Sequence, residues 1–344
     1  MGGHFLAEES EMRQNAITRE WTLHATARGR RPHDPQACGP AESSPRGSTE
    51  RSEYEPGCPF CPGNEAQLPP VIMEMPAVED GRPWQTRAVR NKFPVLTPSA
   101  EARWVDRGTY AAMGARGRHE VLIESARHND DLAVMSLAAV EAVIETYHQR
   151  YLAALEGEAV TLLFRNRGPR AGASLSHPHS QLIAPPVAPP RVKRREAAAR
   201  DFYDHHGRCG YCDLLAQETS EGERVVLTNE WFTAFVPYAA ETPFETWMMP
   251  RRHAADFGAI TTEEKDGLAA ALREVLRRLR NRAGDPDYNL IVRTATRSAT
   301  NAPYLHWHVQ IRPRVALEAG FEIESGMHIN TSLPEMDAAV LRGD

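Results

Sequence analysis

The sequence of 344 residues contains no apolar run that approaches the roughly 20 residues of a membrane span. Its N-terminus, Met-Gly-Gly-His-Phe-Leu-Ala-Glu-Glu-Ser, lacks the basic start and the apolar core of a signal peptide, and this predicts a cytoplasmic protein. An excess of basic residues is also absent, because the formal net charge is -6. We therefore expect neither a membrane nor a nucleic-acid backbone as the main partner.

Cysteine is scarce, and its spacing is informative. Only five cysteines occur, and four of them form two Cys-x-x-Cys pairs, Cys58 with Cys61 and Cys209 with Cys212. In a reducing compartment this spacing suggests metal binding before disulfide formation. The remaining residue, Cys38, is interpreted as an incidental loop thiol.

The stretch from Gly172 to Ile183 carries the clearest chemical pattern, because it alternates His177, His179 and Gln181 with other residues. On an extended strand, residues two apart point to the same face, so these three side chains are expected to line one wall. A neutral imidazole can bind a metal or attack an electrophile, and a carboxamide can donate a hydrogen bond to an oxyanion. Three residues alone do not name a reaction.

The second half of the chain repeats the order of signals found in the first. In particular, His306-Trp-His308-Val-Gln310 echoes the His-x-His-x-Gln pattern, and each half also contains one Cys-x-x-Cys pair. The length exceeds what one small core usually needs. The repeat therefore predicts two α+β modules, residues 1–190 and 191–344, each with an antiparallel sheet and one main helix.

Local patterns predict where the two main helices begin. Asp130 and Asp131 are expected to open the first helix, which continues to about Leu155, because acidic residues are favoured near a helix N-terminus. Thr261 and Glu264 form a capping box that predicts the start of the second helix.

Four other segments receive simpler interpretations. Residues 17–27 are predicted to form a strand, and residues 34–53 a mobile surface loop rich in Pro, Ser and Gly. Residues 166–173 are expected to form a Gly-rich loop. The segment 185–195, with its prolines and its basic run, is expected to be the joint between the two halves.

Each half supplies one Cys-x-x-Cys pair, one His after a strand, and the first His of His-x-His. The two sets are Cys58, Cys61, His128 and His177 in the first half, and Cys209, Cys212, His253 and His306 in the second. Two thiolates and two imidazoles satisfy the tetrahedral preference of Zn²⁺ and leave no open position for water. Two structural zinc sites are therefore expected. The alternative, a tight turn with free thiols and a surface His, is disfavoured because the pattern recurs.

If His177 is a metal ligand, His179 remains free beside it. The metal anchor and Pro178 stiffen the strand and orient the second imidazole for nucleophilic attack. Attack on phosphorus gives a phosphoramidate, which can pass its phosphoryl group to an acceptor, so this chemistry suits group transfer better than hydrolysis. Near the N-terminus, Arg28, Arg30 and Arg31 could grip phosphate with their guanidinium groups. A solvated basic turn is the alternative for these arginines.

The stretch Gly172-Ala-Ser174-Leu-Ser-His177-Pro-His179-Ser-Gln181 resembles the active-site signature of galactose-1-phosphate uridylyltransferases, the transferase branch of the histidine-triad superfamily. The resemblance covers nearly the whole chain, because the zinc ligands, the arginine loop and the duplicated layout match in order. It implies two tandem histidine-triad-like modules, a homodimer with active sites near the interface, and a role in galactose metabolism. It also implies nucleotide sugars and sugar 1-phosphates as substrates.

The resemblance assigns roles to individual residues. His179 would be the nucleophile that becomes nucleotidylated at the α-phosphorus, and Gln181 would donate a hydrogen bond to a phosphoryl oxygen. The substrate-binding residues that it implies are Arg28, Arg31, Asn91, Asn166 and Ser174. Transfer would be ping-pong: UMP passes from a UDP-hexose to His179 and then to a second hexose 1-phosphate. His308 is interpreted as a remnant of duplication, because the Gly-x-Ser sequence that precedes the first motif is absent before it.

Other functions remain open from the sequence. Residues 320–330, with Pro334 and Glu335, look more like the related ADP-glucose phosphorylases, which adenylylate the same His and use phosphate as acceptor. A zinc-stabilised nucleotide-binding protein without turnover is a further alternative. Hydrolases of the superfamily usually carry a third His where this chain has Gln181. Some bacterial transferases hold iron in the second half, but Cys209 and Cys212 favour zinc here.

Overall fold

A computed structural model of the chain describes residues 10–30, 52–77 and 81–344. The strands are β1 Glu11–Gln14, β2 Trp21–His24, β3 Val71–Met75, β4 Thr86–Arg90, β5 Trp104–Arg107, β6 Tyr110–Met113, β7 Arg118–Ile123, β8 Leu162–Arg167, β9 His179–Ala184, β10 Val225–Thr228, β11 Phe232–Phe235, β12 Thr246–Pro250, β13 Tyr288–Arg293, β14 His308–Pro313 and β15 His328–Asn330. The helices are α1 Leu137–Leu155, α2 Pro190–His206, α3 Gly210–Glu221, α4 Thr262–Arg282, α5 Gly320–Ser325 and α6 Pro334–Arg342.

One ten-stranded sheet, in the order β10-β11-β12-β14-β13-β8-β9-β7-β4-β3, forms the centre of the protein. All of its pairings are antiparallel. The predicted fold class, a duplicated α+β architecture with antiparallel strands, is confirmed. The two modules do not form separate sheets, however, because β8 of the first pairs directly with β13 of the second. The division at residues 190 and 191 stays a prediction.

The strand registers relate the two modules by an approximate twofold axis. Gln181, Phe164, Ile291 and Gln310 lie in one row across β9, β8, β13 and β14. His179 and His308 each precede their glutamine by two residues, but β9 and β14 run in opposite directions. The two histidines therefore lie on opposite sides of the row, on the order of 20 Å apart along the sheet.

The two main helices cover one face of the sheet. Helix α1 packs on strands of the first module, α4 packs on strands of the second, and the two helices contact each other. Strand β7 shows why the sheet has two apolar faces: Leu122 belongs to the helix-covered core, whereas Val121 and Ile123 pack with the Cys58 segment on the other face. No helix in the described ranges is long and apolar enough to cross a membrane.

Helix α4 begins as the sequence predicted. Thr261 accepts a hydrogen bond from the backbone N–H of Glu264, and the Glu264 carboxylate accepts one from the backbone N–H of Thr261. The prediction for α1 was wrong by about two turns, because Ser136 caps that helix. Asp131 instead accepts the backbone N–H of Ala133 and pairs with Arg167, so its carboxylate is used in tertiary structure.

Other segments also differ from the sequence-based expectations. The predicted strand over residues 17–27 is a short β2 followed by a 3₁₀ helix, Thr26–Arg30. The expected joint after Pro185 is only partly a loop, because α2 begins at Pro190. A proline is well accommodated in the first helical turn. Asn166, which was expected in a loop, belongs to β8. Residues 31–51, which include Cys38, Arg31 and most of the predicted mobile loop, lie outside the described ranges.

Candidate active site

Two thiols and two imidazoles meet in the first module. The Nδ1 atom of His177 lies 3.6 Å from the Sγ atoms of both Cys58 and Cys61. The Nδ1 atom of His128 lies 3.6 Å from the Sγ atom of Cys61. The four ligand atoms all lie within 4.8 Å of one another. The folded chain thus brings together a set whose members are up to 119 residues apart in sequence.

The second module has an equivalent cluster at the start of α3. The Sγ atom of Cys212 lies 3.2 Å from Nδ1 of His253 and 3.5 Å from Nδ1 of His306. With Cys209, these ligand atoms also lie within 4.8 Å of one another. Both clusters can therefore hold a metal ion.

The geometry of both clusters fits a tetrahedral ion. Zinc–sulfur and zinc–nitrogen bonds of about 2.3 and 2.05 Å at tetrahedral angles separate a sulfur and a nitrogen ligand by about 3.5 Å. The measured separations of 3.2 to 3.6 Å agree with that value. The Nε2 atoms of His177 and His306 donate to the carbonyls of Ser125 and Pro250, at 2.8 and 3.0 Å. Each Nδ1 is therefore left unprotonated toward the sulfurs, as a metal ligand must be.

His179 opens strand β9 and is held in one tautomer. Its Nδ1 donates to the backbone carbonyl of His177 at 2.8 Å, so the lone pair is on Nε2. The side chain is buried, and burial lowers the pKa of the imidazole, which is therefore neutral at pH 7. The ring of Phe60, from the Cys-x-x-Cys turn, packs edge-on at 5.3 Å. A fixed, neutral imidazole with a free Nε2 is the form that nucleophilic attack requires.

A buried polar network supports β9 from behind. The Glu124 carboxylate accepts hydrogen bonds from Tyr147 Oη at 2.5 Å, Ser180 Oγ at 2.6 Å and Arg165 Nε at 2.8 Å. Arg165 also donates to the hydroxyl of Tyr288 in β13 at 2.7 Å. The network therefore ties the residue after His179 to α1, to β8 and to the second module.

Gln181 contacts a histidine, His119, that was not predicted from the sequence. The Oε1 atom of Gln181 lies 2.9 Å from Nε2 of His119 in β7, and Asn91 Nδ2 lies 3.0 Å from the same ring nitrogen. Asn91 also accepts the backbone N–H of Phe93 through Oδ1. The structure thus brings the predicted residues Asn91 and Gln181 together through His119. The pairing of β7 with β9 places His119 near Gln181, and the sequence pattern does not contain that pairing.

A cavity of ≈1120 Å³ opens beside His179. Its lining includes His179 and the predicted substrate-binding residues Asn166 and Ser174. The Asn166 Oδ1 atom accepts a hydrogen bond from Asn289 Nδ2 at 2.9 Å, so the second module orients this amide. The backbone turns back at Gly172, whose φ of 85° is in the left-handed region that favours glycine.

The structure places Arg28 elsewhere. It is exposed on the 3₁₀ helix after β2, and it is not among the described residues that line the His179 cavity. Strand β2 pairs with β15, and the adjacent Gly29 lies beside Thr331. Arg28 therefore lies with the C-terminal segment of the second module and is not brought to the nucleophile of its own chain. Arg31 falls outside the described residues.

The second His-x-His-x-Gln motif has a closed environment. His308 stacks on Trp247 with ring centroids 4.5 Å apart, and Tyr211 from α3 lies 5.7 Å away. The cavity beside His308 measures ≈30 Å³, which is room for about one or two water molecules. A nucleotide cannot enter such a space, whereas the cavity of the first module is large enough.

Known family models match both halves of the chain. The N-terminal domain of galactose-1-phosphate uridyl transferase matches residues 5–189, and the C-terminal domain of the same family matches residues 195–341. The chain belongs to the galactose-1-phosphate uridyl transferase family. The family inferred from the sequence is thereby confirmed, and the family's members include named transferases, as predicted.

Two curated relatives span nearly the full length. An ADP-glucose phosphorylase from Arabidopsis thaliana is 30% identical over 341 residues, covering 97% of this chain and 93% of the relative. A galactose-1-phosphate uridylyltransferase from Thermotoga maritima is 28% identical over 344 residues, covering 96% and 98%. The family therefore includes relatives of both kinds at similar identity.

Solved structures agree with this relationship. A crystal structure of an ADP-glucose phosphorylase from Arabidopsis thaliana with bound ADP-glucose superposes with a TM-score of 0.82 at 28% identity, covering 98% of this chain and 99% of that chain. A uridylyltransferase structure superposes with a TM-score of 0.72 at 29% identity, covering 97% and 98%.

Proposed function

We propose that this protein transfers a nucleoside monophosphate from a nucleotide sugar to a phosphorylated acceptor through a nucleotidyl-His179 intermediate. The observation that carries the proposal is the fixed Nε2 lone pair of a neutral His179 beside a cavity that is large enough for a nucleotide sugar. A UDP-hexose donor and a hexose 1-phosphate acceptor, as in the family's name, are the first candidate.

The residues of the site support a two-step reaction. In the first step, His179 Nε2 attacks the α-phosphorus, an N–P bond forms, and the P–O bond to the β-phosphate breaks with release of sugar 1-phosphate. In the second step, a phosphate oxygen of the acceptor attacks the same phosphorus and releases the imidazole. The proton on His179 Nδ1 stays on that nitrogen in both steps, where it is hydrogen-bonded to the His177 carbonyl. Gln181 donates to the developing phosphoryl charge, and Ser174 and Asn166 contact the substrate from the cavity wall.

Zinc is the ion that best suits both clusters. The donor set of two thiols and two imidazoles is typical of closed structural zinc sites, and the measured ligand separations match tetrahedral coordination. Such an ion would supply structural support only, since four protein ligands complete its coordination. In the first module it would hold His177, whose carbonyl fixes the tautomer of His179.

An ADP-sugar phosphorylase is the second candidate. Two observations favour it: the 30% identity to an ADP-glucose phosphorylase, and the TM-score of 0.82 with a structure of that enzyme holding ADP-glucose. The chemistry at His179 would be the same, with AMP as the transferred group and inorganic phosphate as the acceptor.

The position of Arg28 supports a homodimer. The proposed phosphate-binding loop lies beside the C-terminal segment and apart from the His179 cavity of its own chain. A second copy of the chain would have to bring Arg28, with Arg31, to that cavity. The cytoplasmic location stays a prediction from the sequence.

Intact-protein mass measurement tests this proposal. The protein is incubated separately with UDP-glucose and with ADP-glucose, and we expect a mass gain equal to UMP or to AMP, which identifies the base. The His179→Ala variant should show no gain with either donor. Absence of an adduct in the wild-type protein with both donors would contradict the proposal and favour a non-catalytic binding protein.

A further inference from the structure

The Gln181 carboxamide can face a phosphoryl group in only one useful orientation. Only its Nε2 atom carries hydrogens, so this nitrogen must point to the substrate and the oxygen must point away. In the described part of the chain, Oε1 contacts His119, and no protein group accepts a hydrogen bond from Gln181 Nε2. The group that contacts Gln181 Oε1 therefore determines whether Gln181 Nε2 can donate to the substrate.

The proton of His119 can be assigned from its contacts. The backbone N–H of Val95 donates to Nδ1 at 3.2 Å, and a backbone nitrogen can only donate. Nδ1 therefore carries no proton, and the proton of the ring is on Nε2. Asn91 Nδ2 is also a donor, because Asn91 Oδ1 is occupied by the N–H of Phe93, so its 3.0 Å contact with His119 Nε2 is not a hydrogen bond in this tautomer. The acceptor for His119 Nε2–H is then Gln181 Oε1, at 2.9 Å.

The second module contains the opposite arrangement at the same position. His119 and Glu245 occupy equivalent positions in the two modules. His119 lies two residues before Val121 of β7, and Glu245 lies two residues before Trp247 of β12. Val121 pairs with Gln181 just as Trp247 pairs with Gln310. Glu245 Oε1 accepts from Gln310 Nε2 at 2.7 Å.

The remaining polar atom of Gln310 is also occupied. Arg293 Nε donates to Gln310 Oε1 at 2.7 Å. The equivalent glutamine thus donates one amide hydrogen to the carboxyl of Glu245 and accepts a hydrogen bond from a guanidinium through its oxygen. Its amide is therefore held between two protein groups.

We propose that His119 is a positioning residue for nucleotidyl transfer: by donating to Gln181 Oε1, it turns the Gln181 amide nitrogen toward the phosphoryl group. The proposal rests on the function proposed for His179. It also explains why a glutamine is retained in both motifs while only the first can stabilise charge on phosphate. The exchange of His119 for Glu245 between the modules reverses the glutamine amide.

An isosteric pair of variants tests this role. In His119→Gln the new amide can still donate to Gln181 Oε1, whereas in His119→Glu the carboxylate can only accept and draws Gln181 Nε2 toward itself. We expect the single-turnover rate of His179 nucleotidylation to fall by roughly 10²- to 10³-fold in His119→Glu, and by less than about tenfold in His119→Gln. Donor KM should change much less than the rate.

Two controls separate positioning from damage to the fold. Metal content and melting temperature are measured for both variants, and Glu245→Gln, the matching exchange in the second module, should leave the rate unchanged. In a Gln181→Ala background, His119→Glu should add less than about a threefold loss, because both changes remove the same hydrogen bond.

Equal losses in His119→Gln and His119→Glu, or full additivity with Gln181→Ala, would overturn the role of His119. If the wild-type protein itself forms no adduct, the proposed function fails instead, so the two failures are distinguishable.

Discussion

At the residue scale, the second His and the Gln of the His-x-His-x-Gln motif have different properties in the two modules because their neighbours differ. His179 faces a large cavity, and Gln181 is held by a donor. His308 is enclosed, and Gln310 is held by an acceptor. The sequence pattern predicted which side chains share a strand, but it did not contain the cross-strand partners that determine their chemistry.

Glu245 provides a pH-dependent test of this difference. Its carboxyl is buried, and burial together with nearby Glu241 raises its pKa from 4.5 to about 7. When a carboxyl has a raised pKa in the folded state, its contribution to the free energy of unfolding is complete below pH 4.5. That contribution is lost as the pH rises to about 7. Glu245→Gln should therefore gain stability over the wild type across this interval, by up to ~3 kcal/mol.

Urea unfolding of both proteins at several pH values between 4.5 and 8 measures the difference. A gap in unfolding free energy that is constant with pH, or one that shrinks as the pH rises, would contradict the raised pKa of Glu245. The expected gap opens toward neutral pH.

At the element scale, the metal clusters and the start of α4 could be predicted, but the starts of α1 and α2 could not. Cys and His at characteristic spacings are strong signals, because tetrahedral zinc coordination requires these residue types whatever the surrounding fold. Asp131 resembled a helix-opening residue, but its carboxylate binds Arg167 across the fold. Pro190 was predicted to belong to the joint between the two halves, but proline is also compatible with the first turn of a helix. A tertiary partner explains the first difference, and the tolerance of proline in a first helical turn explains the second.

The two clusters should differ in their effect on catalysis. Cys58→Ser removes a ligand of the cluster that contains His177, whose carbonyl orients His179, so we expect at least a ~10-fold lower nucleotidylation rate as well as metal loss. Cys209→Ser should lose metal from the second module, with a rate within about threefold of the wild type, since we interpret His308 as a remnant of duplication.

Metal analysis by inductively coupled plasma mass spectrometry and single-turnover rates are measured on both variants. Equal losses of nucleotidylation rate in Cys58→Ser and Cys209→Ser would show that both clusters affect the rate only by stabilising the fold. In that case the link from the first cluster to His179 would be wrong.

At the scale of the whole molecule, the duplicated sequence forms one continuous sheet. Repetition predicted two modules, and it could not show that β8 and β13 pair, because either edge of each sheet offers free backbone groups. Arg28 illustrates the same limit. Its loop is suited to phosphate, yet the fold of one chain leaves it apart from His179. The predicted homodimer accounts for this separation.

Mixing two inactive variants tests the dimer. Arg28→Ala removes the loop cation and His179→Ala removes the nucleophile, so a hybrid dimer regains one intact site only if Arg28 acts across the interface. After random subunit exchange, half of the dimers are hybrids with one of two sites intact, so activity should return to about a quarter of wild type. Steady-state transfer assays after dissociation and reassociation measure it, and no recovery would show that Arg28 acts within its own chain.

The most direct test of the central claim is to locate the covalent nucleotide. Protein incubated with the nucleotide sugar that modifies it is quenched at alkaline pH, digested and mapped by tandem mass spectrometry, alongside a His308→Asn variant. We expect one nucleotide per chain, attached to His179 in both proteins. Nucleotide on His308, or sugar-nucleotide turnover with no modified histidine, would contradict the account.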